Sequence, residues 1–222
     1  VRRQSEGVSV SLDKDSNAAL LAELTSGCLQ GVKSAIAIIL GTAIGMAFYL
    51  NGKIYYGDHY YAGEASTTMI GAPRPAAPLS VQSISQIIWS NYNGVPGFVH
   101  RVGKAIGRED LGGHEMFSMI GAGDQTVCAM FEEYCDILAS QIMNLTLFLD
   151  IDHIAIGGGV SDQRILIEKV QDKLAEANSY LRPSANAPTP KVLQCKYRND
   201  ANLYGAFYSL QKQLKEERGG AR

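Results

Sequence analysis

The stretch SAIAIIL-GTAIG-MAFYL-NG-KIYY, residues 34–56, decides the fold. Ser34 to Leu40 is short and rich in β-branched residues, the pattern of a buried strand. Gly41 to Gly45 interrupts it, and Met46 to Leu50 resumes it. Asn51-Gly52 is a strong two-residue hairpin signal, so Lys53 to Tyr56 reads as the returning strand. Three consecutive antiparallel strands follow from this reading.

Upstream, Asn17 to Leu29 has the Ala/Leu/Glu content of a helix, with Asp15 or Ser16 available to cap it. Downstream, Gly71 to Pro78 is Pro-rich and irregular. Leu79 to Ser90 and Gly97 to Ile106 have helical spacing. Asp124 to Leu149 carries the longest periodic pattern, about seven turns with Asp124 as the cap. His153 to Ile156 reads as a buried strand, Asp162 to Ala177 as a helix and Pro183 to Pro190 as a loop. Lys191 to Tyr197 reads as a strand, Asp200 to Leu214 as a helix and Lys215 to Arg222 as a frayed charged tail. Antiparallel strands followed by helices alternating with strands predict an α/β architecture with a mixed sheet, in which the strands at His153 and Lys191 extend the opening hairpin.

With 222 residues, 46% of them hydrophobic and 19% charged, the chain can bury a sizeable core. A formal net charge of -2 argues against a general nucleic-acid footprint. Cys28, Cys128, Cys135 and Cys195 are scattered, and so are His59, His100, His114 and His153. None has zinc-ligand spacing, and the cysteines read as reduced core thiols. The longest apolar run, Ala35 to Leu40, is far too short to span a membrane, and the polar start is no signal peptide. A cytoplasmic location is predicted. The chain starts without methionine and is read as part of a longer gene product.

Four short motifs could carry chemistry. Gly41-Thr42-Ala43-Ile44-Gly45 offers backbone N–H groups and a hydroxyl to phosphate, although on spacing alone a plain hairpin turn is the weightier reading. A carboxylate in Asp13-Lys14-Asp15 could take a proton from an attacking hydroxyl, but the same residues make an ordinary helix cap. Glu64, after Ala62-Gly63, could hold two hydroxyls or be a plain loop glutamate. Gly157-Gly158-Gly159, between a strand and a helix, suits close approach of a flat base and equally suits a tight turn. Asn199-Asp200 at the last helix is read as a cap and packing turn.

In order and spacing these motifs resemble the ROK family of bacterial sugar kinases and repressors. The counterparts are Lys14 to Glu23, Gly41 to Gly45, Asn51 to Gly57, Ala62-Gly63-Glu64, Asp150 to Ser161 and Asn199 to Ala206. The resemblance implies one lobe of the ribonuclease H-like fold shared by actin and hexokinase. Residues 1–31 would be a remnant of the N-terminal lobe with the catalytic segment and hinge helix, and residues 32–222 the C-terminal lobe. It further implies ATP with Mg2+, a hexose or N-acylhexosamine substrate, Asp15 as general base, and Lys14, Glu64 and Thr67 at the sugar. Gly41, Thr42 and Gly45 would face phosphate, and Gly157, Gly158 and Gly159 the adenosine. A homodimer through this lobe is expected, with residues 70–121 and the long helix as candidate surfaces.

The sequence departs from the family pattern at several points. Lys14 stands for an asparagine, Ala43 for a phosphate-loop glycine and Thr67 for a histidine that binds sugar and zinc in many members. The cysteine-rich zinc loop is absent, so no structural zinc is expected. The family's N-terminal D-x-G-G-T loop is absent too, so these residues alone are expected not to phosphorylate sugar. Three functions compete: a sugar kinase, favoured by the retained Asp15 and Glu64; a sugar-sensing transcriptional regulator, favoured by the departures; and a non-catalytic dimerisation module. DNA binding would require a helix-turn-helix outside the sequence.

Overall fold

The computed structural model describes residues 10, 12–71, 80–181 and 189–219. Most of the Pro-rich stretch at 71–78 and of the loop at 183–190 falls outside these residues. Five strands are described: β1 (Ala35–Leu40), β2 (Ile44–Leu50), β3 (Lys53–Tyr55), β4 (His153–Gly157) and β5 (Lys191–Gln194). They form one mixed sheet in the order β3-β2-β1-β4-β5. β1 pairs antiparallel with β2, Ile38 opposite Met46, and β2 pairs antiparallel with β3. β1 pairs parallel with β4, Ile38 opposite Ile156, and β4 pairs parallel with β5. The hairpin and its extension on the far side of β1 are as the alternation predicts.

Side-chain size alternates along the central strand β1, and that alternation sets the layers. Ile36, Ile38 and Leu40 point to one face and join a large core with Ile154, Ile156 and Phe131. Ala35 and Ala37 point to the other, with Ala47 and Ala155, and meet Leu20 and Leu29. Successive side chains of a strand face opposite ways, so the alanines leave one face shallow enough for a close helix. That helix is α1 (Asp15–Ser26). On it lies α8 (Ala201–Gly219), so near that a Cβ on Gly205 would stand 1.9 Å from the Ala18 carbonyl oxygen. Only glycine at 205 permits this crossing.

The large face is covered by helices from the middle of the chain. These are α3 (Ser90–Asn93), α4 (Val95–Ala105), α5 (Gly113–Ala122), α6 (Gln125–Leu149) and α7 (Arg164–Leu181), while the short α2 (Val81–Ser85) buries no residue. As expected, Asp124 caps α6: its carboxylate accepts the Val127 N–H at 3.0 Å. The helix expected over Leu79 to Ser90 is instead two short pieces. Trp89 turns into the core, and its indole N–H donates to Asn93 Oδ1 at 2.8 Å. The α5 helix was not expected at all. The last strand stops at Gln194, three residues early, and the expected frayed tail remains helical through Gly219.

Asn93 and Tyr134 lock α3 to α6 inside the core. Asn93 Nδ2 donates to the Tyr134 carbonyl at 2.8 Å, and the Tyr134 hydroxyl donates to the Asn93 carbonyl at 3.0 Å. Both residues are buried, so each of these four groups needs its partner. Tyr134→Phe leaves the Asn93 carbonyl unpaired. We expect a loss of about 1–2 kcal/mol, seen in calorimetry as a fall in Tm of roughly 2–8 °C. An unchanged Tm would mean the bond contributes nothing.

Candidate active site

The first half of the site is built where α1 begins. Lys14 is the N-cap residue, in extended conformation and with no side-chain cap bond, so Asp15 is the first helical residue instead of the cap. A carboxylate there is favoured by the positive end of the helix. Asp15 is exposed and accepts the N–H of Ser16 at 2.7 Å. Its neighbour Asp13 is held more firmly, accepting the Lys14 N–H and Asn17 Nδ2, each at 2.8 Å, and the Tyr56 hydroxyl at 3.1 Å. Burial, reinforced by the Asp13 carboxylate, pushes the Tyr56 phenol up to about 12, so it stays a neutral donor. The two acids therefore differ: Asp13 orients the segment, while Asp15 faces outward with only a local bond described.

Glu64 reaches this segment from a loop docked on β2. Met46 N–H donates to the Gly63 carbonyl at 3.1 Å, and Ser66 Oγ takes the Ile44 N–H at 2.9 Å while donating to the Ile44 carbonyl at 3.0 Å. Gly63 has φ 86°, and a Cβ on it would stand 1.9 Å from the Met46 carbonyl oxygen. From that loop Glu64 Oε1 pairs with Lys14 Nζ at 2.7 Å, and Lys14 also donates to the Ala62 carbonyl at 2.8 Å. The pair is partly exposed and contributes little stability, but it ties the 13–15 segment to the 62–64 loop. Thr67, exposed in a single 3-10 turn, donates to the Glu64 carbonyl at 3.4 Å. Beside them a cavity of about 470 Å³ is walled by Leu12, Asp13, Lys14 and the paired rings of Tyr56 and Tyr60.

The second half lies at the carboxyl ends of the parallel neighbours β1 and β4, where open α/β sheets place ligands. There a cleft of about 500 Å³ brings Gly41 and Thr42 together with Gly159. Gly41 donates its N–H to Ala43 O at 3.0 Å, so that group is used inside the turn, whereas Thr42 is exposed. Ala43 is not among the residues with positive φ and needs no glycine there. The start of α4 docks on the turn through Val95 N–H to Gly41 O at 2.9 Å, and a Cβ on Gly94 would crowd the Thr42 carbonyl oxygen at 2.9 Å. Val95, Pro96, Phe117 and Val160 give the cleft apolar walls.

The glycine-rich stretches divide their duties. Gly157 packs on Ile39 and Cys195, and Gly158, at φ 89°, lies so close to β1 that a Cβ would stand 2.1 Å from Leu40 O. Only Gly159 lines the cleft, and a 3-10 turn separates it from α7. Gly45 does not line the cleft: a Cβ there would meet the Ser16 side chain at 3.3 Å. The phosphate-type turn and the start of α1 are thus back to back. Asn199, read from sequence as part of a cap, also lines the cleft, as do His114 and Gln163. Nothing local in the sequence marks His114 or Gln163, and Asn199 is marked only as part of a cap and of the 199–206 motif; tertiary folding brings the three together.

The cleft fits an adenine nucleotide in kind: apolar walls for a base, a bare backbone at Gly159, and polar groups at Thr42, Gln163 and Asn199. It offers little to a metal ion. Asp162, the one carboxylate among the described lining residues, is paired with Arg198 at 2.6 Å. Elsewhere the fold gathers Glu23, Cys28 and Cys195, a cluster whose spacing in sequence gives no hint of it.

Known proteins match this arrangement. The chain is 25% identical over 215 residues to an N-acetyl-D-glucosamine kinase of Photobacterium profundum, covering 93% of this chain and 68% of that one. The solved structure of a ROK family protein from Streptococcus pneumoniae, in complex with sucrose, superposes with a TM-score of 0.77 at 26% identity, covering 90% of this chain and 65% of that one. A ROK family glucokinase from Streptomyces griseus, in complex with glucose and AMPPNP, superposes with a TM-score of 0.72 at 24% identity, covering 90% of this chain and 68% of that one. The chain thus spans about two thirds of the length of these proteins, and its mixed sheet with flanking helices has the actin/hexokinase-like ATPase fold. The ROK family model matches residues 3–213, and the chain belongs to the ROK family.

Proposed function

We propose that the chain is the C-terminal lobe of an ATP-dependent kinase acting on a hexose or N-acylhexosamine. The observation that carries this reading is the back-to-back contact of the 41–45 turn with the start of α1 at Gly45 and Ser16. A phosphate held at the turn would lie beside Asp15. Phosphoryl transfer is mostly positioning and charge stabilisation, and this contact supports the reading that the turn and the start of α1 act together. In this reading Asp15 accepts the proton of the attacking hydroxyl. Glu64, Lys14 and Thr67 hold the sugar, and Thr42 donates to phosphate. Gly159 admits the adenosine, with Gly157 and Gly158 keeping the β1 and β4 ends together. ATP supplies the transferred phosphoryl group, with Mg2+ carried on its phosphates. Residues 1–31 then belong with the N-terminal lobe, and the lobe described here forms a homodimer through residues 70–121 and α6.

The test is ADP release with ATP and a panel of glucose, N-acetylglucosamine and related hexoses, run on the 222 residues and on the complete gene product. Turnover of at least one sugar by the complete product is expected. Sugar binding in calorimetry without ADP release would replace this reading with that of a sugar-sensing regulator. Light scattering should give a dimer; a monomer at high micromolar concentration would remove that part. Among the described residues no helix is long and apolar enough to cross a membrane.

A further inference from the structure

Glu23, on the last turns of α1, is completely buried, yet among the described residues no cationic side chain pairs with it. Its carboxylate is fixed by two backbone donors, Cys28 N–H to Oε2 at 2.8 Å and Tyr197 N–H to Oε1 at 2.9 Å. The chain wraps it tightly: a Cβ on Gly27 would lie 2.0 Å from Oε2. The nearby ammonium of Lys196 is turned away, donating to the Ser26 carbonyl at 2.8 Å. A buried carboxyl group ordinarily has a cationic partner or a metal ion beside it, and among the described residues Glu23 has no cationic partner. Two thiols stand beside it. The sulfurs of Cys28 and Cys195 and a Glu23 oxygen all lie within 4.8 Å of one another. Cys195 is buried and Cys28 half-buried.

We propose that Glu23, Cys28 and Cys195 bind one divalent cation of zinc type. Thiolate sulfur and carboxylate oxygen are both zinc donors, and in a tetrahedral site neighbouring ligand atoms stand about 3.5–3.8 Å apart. The present spacing therefore needs only a small contraction of the side chains. A solvent molecule on the Cys28 side completes four-coordination. On binding, each thiol gives its proton to solvent and becomes a thiolate, and no electron changes hands. Such an ion would staple the end of α1 to the connection between β5 and α8. It would thereby fix the helix that begins at Asp15.

The experiment titrates the metal-free, reduced chain with Zn2+ and with Co2+. Cobalt should produce a thiolate-to-metal charge-transfer band that saturates at one equivalent, is displaced by zinc, and is lost in Cys28→Ser and in Cys195→Ser but kept in Cys128→Ser. Zinc at a hundred- to thousand-fold excess over its Kd should raise Tm by roughly 5–15 °C. Should either serine variant fail to fold, the wild type still decides: zinc should slow alkylation of Cys28 at least tenfold, read by peptide mass mapping, and leave Cys128 unchanged. Absence of the charge-transfer band, its persistence without Cys195, or a Cys28–Cys195 disulfide forming with no metal uptake would each overturn the proposal.

Discussion

Asp15→Asn in the complete gene product should lower the phosphorylation rate by about 10² to 10⁴ while leaving sugar affinity near its original value. A sugar hydroxyl holds its proton tightly and attacks phosphorus poorly, so a carboxylate that accepts the proton as the bond forms lowers the barrier by about 2.7–5.5 kcal/mol. Asparagine keeps the size and can still bond a hydroxyl, but it cannot take the proton. The same change at Asp13 should act differently, because that carboxylate is occupied by Lys14 N–H, Asn17 and Tyr56. Asp13→Asn brings an amide up against those donors and should cost stability and affinity more than the chemical step. Steady-state rates with separate calorimetric binding distinguish the two variants. A rate unchanged in Asp15→Asn removes that residue from the mechanism. Loss of binding in both would make Asp15 a sugar ligand only.

Replacing Gly63 by alanine should be the most damaging single-atom-scale change among the turns, with Gly52→Ala as its internal control. Both glycines have left-handed backbones, at φ 86° and 83°. A Cβ at position 52 meets nothing within 4 Å, so only the conformational penalty applies, about 1 kcal/mol. At position 63 the same methyl would stand 1.9 Å from Met46 O. The loop must leave β2, losing the Met46-to-Gly63 bond and the Ser66 clamp on Ile44. We expect a total of about 3–4 kcal/mol, or a fall in Tm of roughly 6–16 °C. Glu64 moves with the loop, so sugar affinity should fall in the Gly63 variant alone. Equal Tm losses in the two variants would show that the close approach carries no weight.

The sheet was legible because its signals are local. Alternation along 34–56 and the Asn51-Gly52 turn require nothing distant to be read. The helix α5 escaped because Gly112 and Gly113 open it, against helix propensity, although Met116 and Ile120 keep the spacing of a buried face. The continuous helix read over 79–90 failed for the opposite reason: its apolar period is real, but the backbone at 87–89 pairs with 68–70, Ile70 N–H donating to Ile87 O and Trp89 N–H to Thr68 O, each at 2.8 Å. At the site, Asp15, Glu64 and the 41–45 turn each sit beside a chain signal that draws attention. His114 and Gln163 do not, and neither does the grouping of Glu23 with Cys28 and Cys195. Those neighbours come from distant segments that meet only in the finished fold, so neither periodicity nor motif spacing records them.

The mixed pairing around β1 sets a timetable for folding. Its antiparallel partner β2 follows after a turn of a few residues, and hairpins of this kind close in about 1–10 μs. Its parallel partner β4 lies beyond every helix from α2 to α6 in the chain, so the pairing of Ile38 with Ile156 closes a long loop. Pairings between such distant segments form slowly. The two lips of the cleft, Thr42 and Gly159, belong one to each event. The early lip waits for the late one, so a substitution deep in α6 can delay the assembly of the cleft in a refolding experiment without touching any residue that lines it.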